Sequence, residues 1–187
     1  MFSAKAHKKS KNLHIVKNEF YQYTIIRFRK GGLYMANTLA VAKYLNELNK
    51  SKHGCNMNQM KMHKLMYFSQ REFLMIHDNP LFNGEFEAWK YGPVLTEVRS
   101  EYLSGHMFAS DYGTLSEAEK EVVNSVFERY ESVNTWDLSS LSHEEYSWKQ
   151  ARAGLGPNDQ SQTKLSLSAM RVDAMRESLR RKGVVLA

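Results

Sequence analysis

The chain has one cysteine, Cys55, among 187 residues. That excludes a disulfide framework and any multi-cysteine zinc or iron–sulfur site. Three prolines and ten glycines exclude a collagen-like or low-complexity chain. No apolar run approaches the roughly 20 residues of a membrane span, and the charged residues near the N-terminus flank no stretch of the kind a secretory leader needs. The phosphate-cradling glycine loop, the G-x-S-x-G elbow and the HExxH metal spacing are all missing. What is present is 42% hydrophobic and 25% charged residues, enough for a packed core in one domain of ordinary size, or a domain with a tail. The expectation is a cytoplasmic chain with no cofactor.

The formal net charge of +6 invites a nucleic-acid reading, but its distribution weakens that reading. Residues 1–34 hold eight lysines and arginines against Glu19 alone, whereas residues 35–187 hold 18 basic and 19 acidic side chains. The surplus sits entirely in the first segment, and the remainder is nearly neutral. That segment ends Lys30-Gly31-Gly32-Leu33-Tyr34-Met35. Lys-Gly-Gly can be encoded by a purine-rich ribosome-binding sequence, and two further codons give its usual spacing before an initiator. The expectation is a translation start at Met35, with residues 1–34 as upstream sequence read in frame. The alternative is a genuine basic arm, strand-like from Phe20 to Phe28, that touches nucleic acid or an acidic partner.

From Met35 onward the punctuation is helical. Asn37 or Thr38 caps a first helix carrying Val41, Tyr44, Leu45 and Leu48 at helical spacing. A second helix starts at Asn56 or Asn58 and runs to about Ile76. Its apolar residues surround the axis, which marks a central helix packed on several sides, and its methionines suit irregular core gaps. Asp78-Asn79-Pro80 breaks it. Leu81–Pro93 is the least helical stretch, with Gly92-Pro93 as a sharp stop and Pro93 in the first turn of a helix through Val94, Val98 and Tyr102. Ser116 to Glu119 reads as a capping box, and Ser142-His143-Glu144-Glu145 as another, with Leu141 and Tyr146 as its hydrophobic staple. A last helix from Ser166 or Ser168 carries Val172, Met175 and Leu179, with Arg180, Arg181 and Lys182 at its negative end. The sum is a mostly α, compact bundle of about six helices with one short extended element around Phe86–Tyr91.

Reactive groups are sparse. His143, Glu144 and Glu145 have acid–base chemistry, which leaves an uncharacterised hydrolase as one reading, but a helix start explains them more simply. His63, His77 and His143 lack metal-ligand spacing, and Cys55 stands in a polar loop with no evident base. Phe86-Glu87-Ala88-Trp89-Lys90-Tyr91-Gly92-Pro93-Val94 is different. It concentrates aromatic residues beside a Gly-Pro pair. Two readings stand side by side: a core staple, or an exposed aromatic patch of the kind that makes binding hot spots.

Three blocks of the chain resemble the Panacea-domain family, which includes SocA-like antitoxins and GepA-like phage-associated proteins. Met60-Lys61-Met62-His63-Lys64-Leu65-Met66-Tyr67-Phe68 is similar to its helix motif, L-x-K-L-L-Y-F. Phe86 to Val94 resembles its most distinctive motif almost letter for letter. Ser142 to Glu145 with Trp148 and Lys149 is similar to its third block, T-H-x-x-x-x-W; Met66 and Ser142 are mild departures. The resemblance spans about Met35–Arg152 and leaves residues 1–34 outside. It implies a non-enzymatic protein that neutralises a cognate toxin by direct contact, in one family member as an adaptor delivering the toxin to a protease. The residues then expected to anchor the structure or the partner are Glu87, Trp89, Lys90, Tyr91, Gly92, Pro93, His143 and Trp148. No catalytic or metal-binding residue is expected. The readings from other classes are a phage regulator that holds nucleic acid with the basic arm, and the hydrolase around His143.

Overall fold

The computed structural model describes residues 35–184. The readings of residues 1–34, including the strand-like Phe20–Phe28, lie outside the described residues. Helix α1 spans Thr38–His53; the Asn37 side chain accepts from the Leu39 N–H at 2.8 Å, and Gly54 ends the helix in the left-handed region at φ 72°. Helix α2 spans Gln59–His77, capped by Asn58, whose side chain accepts from the N–H groups of Met60 and Lys61. Every residue from Met62 to Leu74 is buried, so the all-round apolar pattern does mark the central helix.

The remaining elements pack around it. Strands β1, Glu87–Trp89, and β2, Gly92–Val94, form an antiparallel hairpin with Trp89 opposite Gly92 and Ala88 opposite Pro93. Then come α3 (Thr96–Leu103), α4 (Glu117–Tyr130), α5 (Thr135–His143), α6 (Tyr146–Ala151) and α7 (Leu167–Arg181). Helix α2 touches α1, α3, α4, α5, α7 and β2. One hydrophobic core runs through them, from Val41 and Leu45 of α1 through Met62, Leu65, Tyr67 and Phe68 of α2 to Val123 of α4 and Met170 of α7. Among the described residues, no helix is long and apolar enough to cross a membrane.

The mostly α architecture with one small extended element matches the expectation, with four corrections. The extended element is a hairpin. Gly92-Pro93 opens its second strand and does not stop the first, so the turn is Lys90-Tyr91. Proline is tolerated there because the Ala88 N–H points away from β2, to the Thr163 carbonyl at 2.9 Å. The Ala88–Pro93 pair is thus a position where no ladder hydrogen bond is made. Second, α3 begins at Thr96, beyond Pro93, and Val94 belongs to the strand. Third, the Ser142 box does not form. Asn134 caps a full helix, α5, that ends at His143, which makes seven helices among the described residues. The start of α6 is served from across the fold: Asp173 of α7 accepts from the N–H groups of Tyr146 at 2.6 Å and Ser147 at 2.9 Å. Fourth, Val172 and Met175 are exposed. The inward face of α7 carries Ala169, Met170, Asp173, Ala174 and Glu177.

The polar members of that face explain the rotation. Tyr67, fully buried, donates its hydroxyl to Asp173 at 2.9 Å. Arg71 pairs with Glu145 and lies 3.8 Å from Glu177. Arg181 reaches past the helix end to Glu72 at 2.5–2.6 Å, so it serves a buried carboxylate as well as the helix dipole. Burying these groups is tolerable only because they meet partners.

Candidate functional site

The hairpin is held by its backbone. The carbonyl groups of Ala88, Trp89, Tyr91 and Pro93 are each taken by a side chain from another element. Arg152 Nη1 donates to the Ala88 carbonyl at 3.0 Å, and Trp148 Nε1 donates to that of Trp89 at 3.0 Å. His143 hydrogen-bonds the backbone of Lys90. Ser139 Oγ donates to the Tyr91 carbonyl at 2.9 Å, and Lys64 Nζ to that of Pro93 at 3.2 Å. On the outer side of β1, Lys164 adds a short third lane: Leu165 N–H donates to the Phe86 carbonyl at 2.8 Å. A two-residue turn carries little stability of its own; here the neighbours supply it.

Gly92 is the tight point. Its φ is 102°, and a Cβ there would lie 2.4 Å from Ser142 Oγ and 2.6 Å from Lys64 Nζ. Conformation and space both demand glycine. His143 stacks on Trp148 with ring centroids 4.0 Å apart, and the Arg152 guanidinium lies over Trp148 at 5.3 Å. Burial, followed by the charges of Lys64 and Arg152, holds the His143 imidazole below its ordinary pKa.

The side chains of the hairpin divide by height. Phe86 is core, at 6.0 Å and 5.6 Å from the Phe82 and Tyr67 rings. Glu87 is buried and accepts from Trp89 Nε1 at 2.7 Å and from Lys164 Nζ at 2.9 Å. Burial would raise its carboxyl, but those two hydrogen bonds outweigh it and hold the group below the usual range. Trp89 is half-buried, with the Arg99 guanidinium 5.4 Å over its ring. Tyr91 is 47% exposed, meets the edge of Trp136 at 5.6 Å and carries the Lys90 ammonium 4.9 Å above it. Trp136 itself is 62% exposed.

A cleft of about 360 Å³ opens beside this tip, between the start of α2 and the hairpin; Trp89, Lys90, Tyr91, His63, Lys64 and Arg99 are among its walls. A broader depression shares Gln59 and Met60 with it and continues to Trp136.

The eight residues singled out from the sequence thus converge on one hairpin. Gly92, Pro93, His143 and Trp148 hold it. Glu87 orients Trp89, and Lys90 and Tyr91 project from it. Sequence reasoning missed Ser139 and Arg152 as clamps, Lys64 as a buried one, and Trp136 as the second exposed ring. None has a local signal, because each acts at long range on a backbone carbonyl or across an element boundary. The acid–base trio is dispersed. His143 stacks under the hairpin, Glu144 is exposed and pairs with Lys149 at 2.7 Å, and Glu145 points inward to Arg71. Among the described residues, no group of three or more His, Cys, Asp or Glu could hold a metal ion.

The hairpin thus lifts aromatic and basic side chains off a helical body. Residues 62–149, which run from α2 through the hairpin into α6, match the family model described as Antitoxin SocA-like, Panacea domain. The resemblance read from the three motifs is therefore borne out over that segment. Among individual proteins, the chain is similar to Antitoxin SocA of Caulobacter vibrioides, 47% identical over 38 residues. That match covers about a fifth of this chain and spans about a fifth of the length of that relative. No solved structure matches the chain.

Proposed function

We propose that this protein is an antitoxin-type binding domain that neutralises a toxin protein by direct contact, with no reaction of its own. The observation that supports the reading most is the division of labour at the hairpin. Its carbonyls are fixed by Lys64, Ser139, His143, Trp148 and Arg152, while Tyr91 and Trp136 stand exposed beside each other. Rigid aromatic side chains bury area on association with little loss of rotamer freedom, and basic neighbours add orientation. An acid–base centre would need its groups to share a cleft, and His143, Glu144 and Glu145 do not. The family match and the similarity to Antitoxin SocA point the same way. The toxin seats on the hairpin tip and the adjoining depression, and this protein thereby masks the toxin's active surface.

Co-expression tests this. The gene adjacent to this one is expressed alone and then together with it. Growth arrest relieved by this protein, with a complex recovered from the cells, is the expected result. Failure to relieve arrest beside every adjacent gene would overturn the reading.

A further inference from the structure

The cleft beside the hairpin is lined by three cationic side chains, Lys64, Lys90 and Arg99, and by His63. Lys64 is 1% exposed, and its ammonium donates to the Pro93 carbonyl alone. Among the described residues, no carboxylate lies within 4 Å of it. An ammonium has three donors, so two are left unused. His63, adjacent on α2 and 3% exposed, accepts from the Leu95 N–H through Nδ1 at 3.4 Å. Burial, together with the charges of Lys64 and Arg99, lowers its pKa to about 3, so the ring is neutral. With Nδ1 accepting, the proton sits on Nε2, which is buried with no hydrogen-bond partner. Arg99 and Lys90 complete the basic wall, Trp89 forms a flat side, and none of the lining residues is acidic.

Buried donors and cations without a counter-charge are costly to a fold. They persist where a ligand supplies what is missing. We propose that this cleft is a carboxylate socket, which receives an aspartate or glutamate side chain of the partner polypeptide against Lys64 and His63 Nε2–H, with Arg99 and Lys90 at its mouth. The proposal rests on the protein-binding reading. Two inner groups with unused donors, the Lys64 ammonium and His63 Nε2–H, suit the two oxygens of a carboxylate. The cleft volume of about 360 Å³ leaves room for the residue that bears it, within the roughly 300–1,000 Å³ of typical ligand sites.

The test needs no toxin. The full chain is titrated with N-acetyl-glutamate N-methylamide, with the glutamine analogue and with inorganic phosphate, while nuclear magnetic resonance follows the His63 imidazole and the Arg99 side chain. The expected result is a saturable shift with the glutamate probe and affinity at least about tenfold weaker for the glutamine analogue, a gap of about 1.4 kcal/mol. Lys64→Met and Arg99→Gln, each checked for native circular dichroism, lose the shift; Arg99, half-buried at the mouth, keeps the test valid if the Lys64 variant fails to fold. No saturation with the glutamate probe, equal binding of the glutamine analogue, or tighter binding of phosphate would each overturn the socket. Rescue of growth without glutamate binding sinks the socket alone. Glutamate binding without rescue supports the socket and sinks the antitoxin reading.

Discussion

The indole N–H of Trp148 donates to the carbonyl oxygen of Trp89 at 3.0 Å, tying the third sequence block to the second across 59 residues. Trp148→Phe keeps most of the ring area, and with it the stack on His143, but removes that donor. Leaving the half-buried Trp89 carbonyl unserved costs about 1 kcal/mol. A urea melt of the variant against the parent measures it, and an unchanged midpoint would show that the clamp carries no energy.

Gly92→Ala attacks the same hairpin from its tightest point. At φ 102° with Lys64 Nζ 2.6 Å from the new Cβ, backbone strain alone costs of order 1–3 kcal/mol, and Lys64 and Ser142 must also move. The expected outcome is a destabilised protein, read as a lowered thermal midpoint. Tolerance without loss would mean that the hairpin is not held as described.

Lys64 gives a pH signature. Burial lowers its pKa from 10.5 to about 7 in the folded protein, with Arg99 near His63 on one side and His143 and Arg152 on the other. Between those values the unfolded chain binds more protons at this site than the native one. Stability from this group therefore rises with pH from about 7 to 10, and the full cost is present below 7. Lys64→Met removes the term, so the stability of the variant relative to the parent is highest at pH 6 and falls by pH 10. Equilibrium unfolding of both proteins at the two pH values checks the sign; a constant difference would contradict it.

Asp173 is the hub of the other half. It accepts from Tyr67 and from the N–H groups of Tyr146 and Ser147. Asp173→Ala strands buried donors at the start of α6 and on the core tyrosine. The expected loss is about 2–5 kcal/mol, measured by denaturant unfolding. A loss within the ±0.5 kcal/mol of ordinary surface changes would show that α6 is capped some other way.

Local chemistry was legible in the sequence at several helix starts, where the partner lies within a few residues, although the equally local Asn134 cap of α5 went unread. Asn37, Asn58 and the Ser116–Glu119 box cap their helices as read, and the all-round pattern of α2 identified the centre of the fold. The same logic failed at Ser142 because the cap of α6 comes from Asp173, and local pattern cannot see a donor set satisfied from another helix. It failed at Val172 and Met175 because α7 turns Asp173 and Glu177 inward to meet Tyr67 and Arg71. Polar groups that pay their desolvation with one another read as surface. At the site, the motif coincides with the segment that forms the hairpin. Which residues clamp and which project depended on carbonyl directions, and these have no signature in side-chain order.

The central claim is that a hairpin fixed from behind presents Tyr91 with Trp136 to a partner protein. The most direct measurement is the doubly substituted protein, Tyr91→Ala with Trp136→Ala, assayed for thermal midpoint and for relief of any growth arrest that the adjacent gene causes. Both rings are exposed, so the account predicts little change in the midpoint together with loss of rescue, corresponding to at least about 2 kcal/mol of binding. A soluble, folded double variant that rescues growth as well as the parent would contradict it.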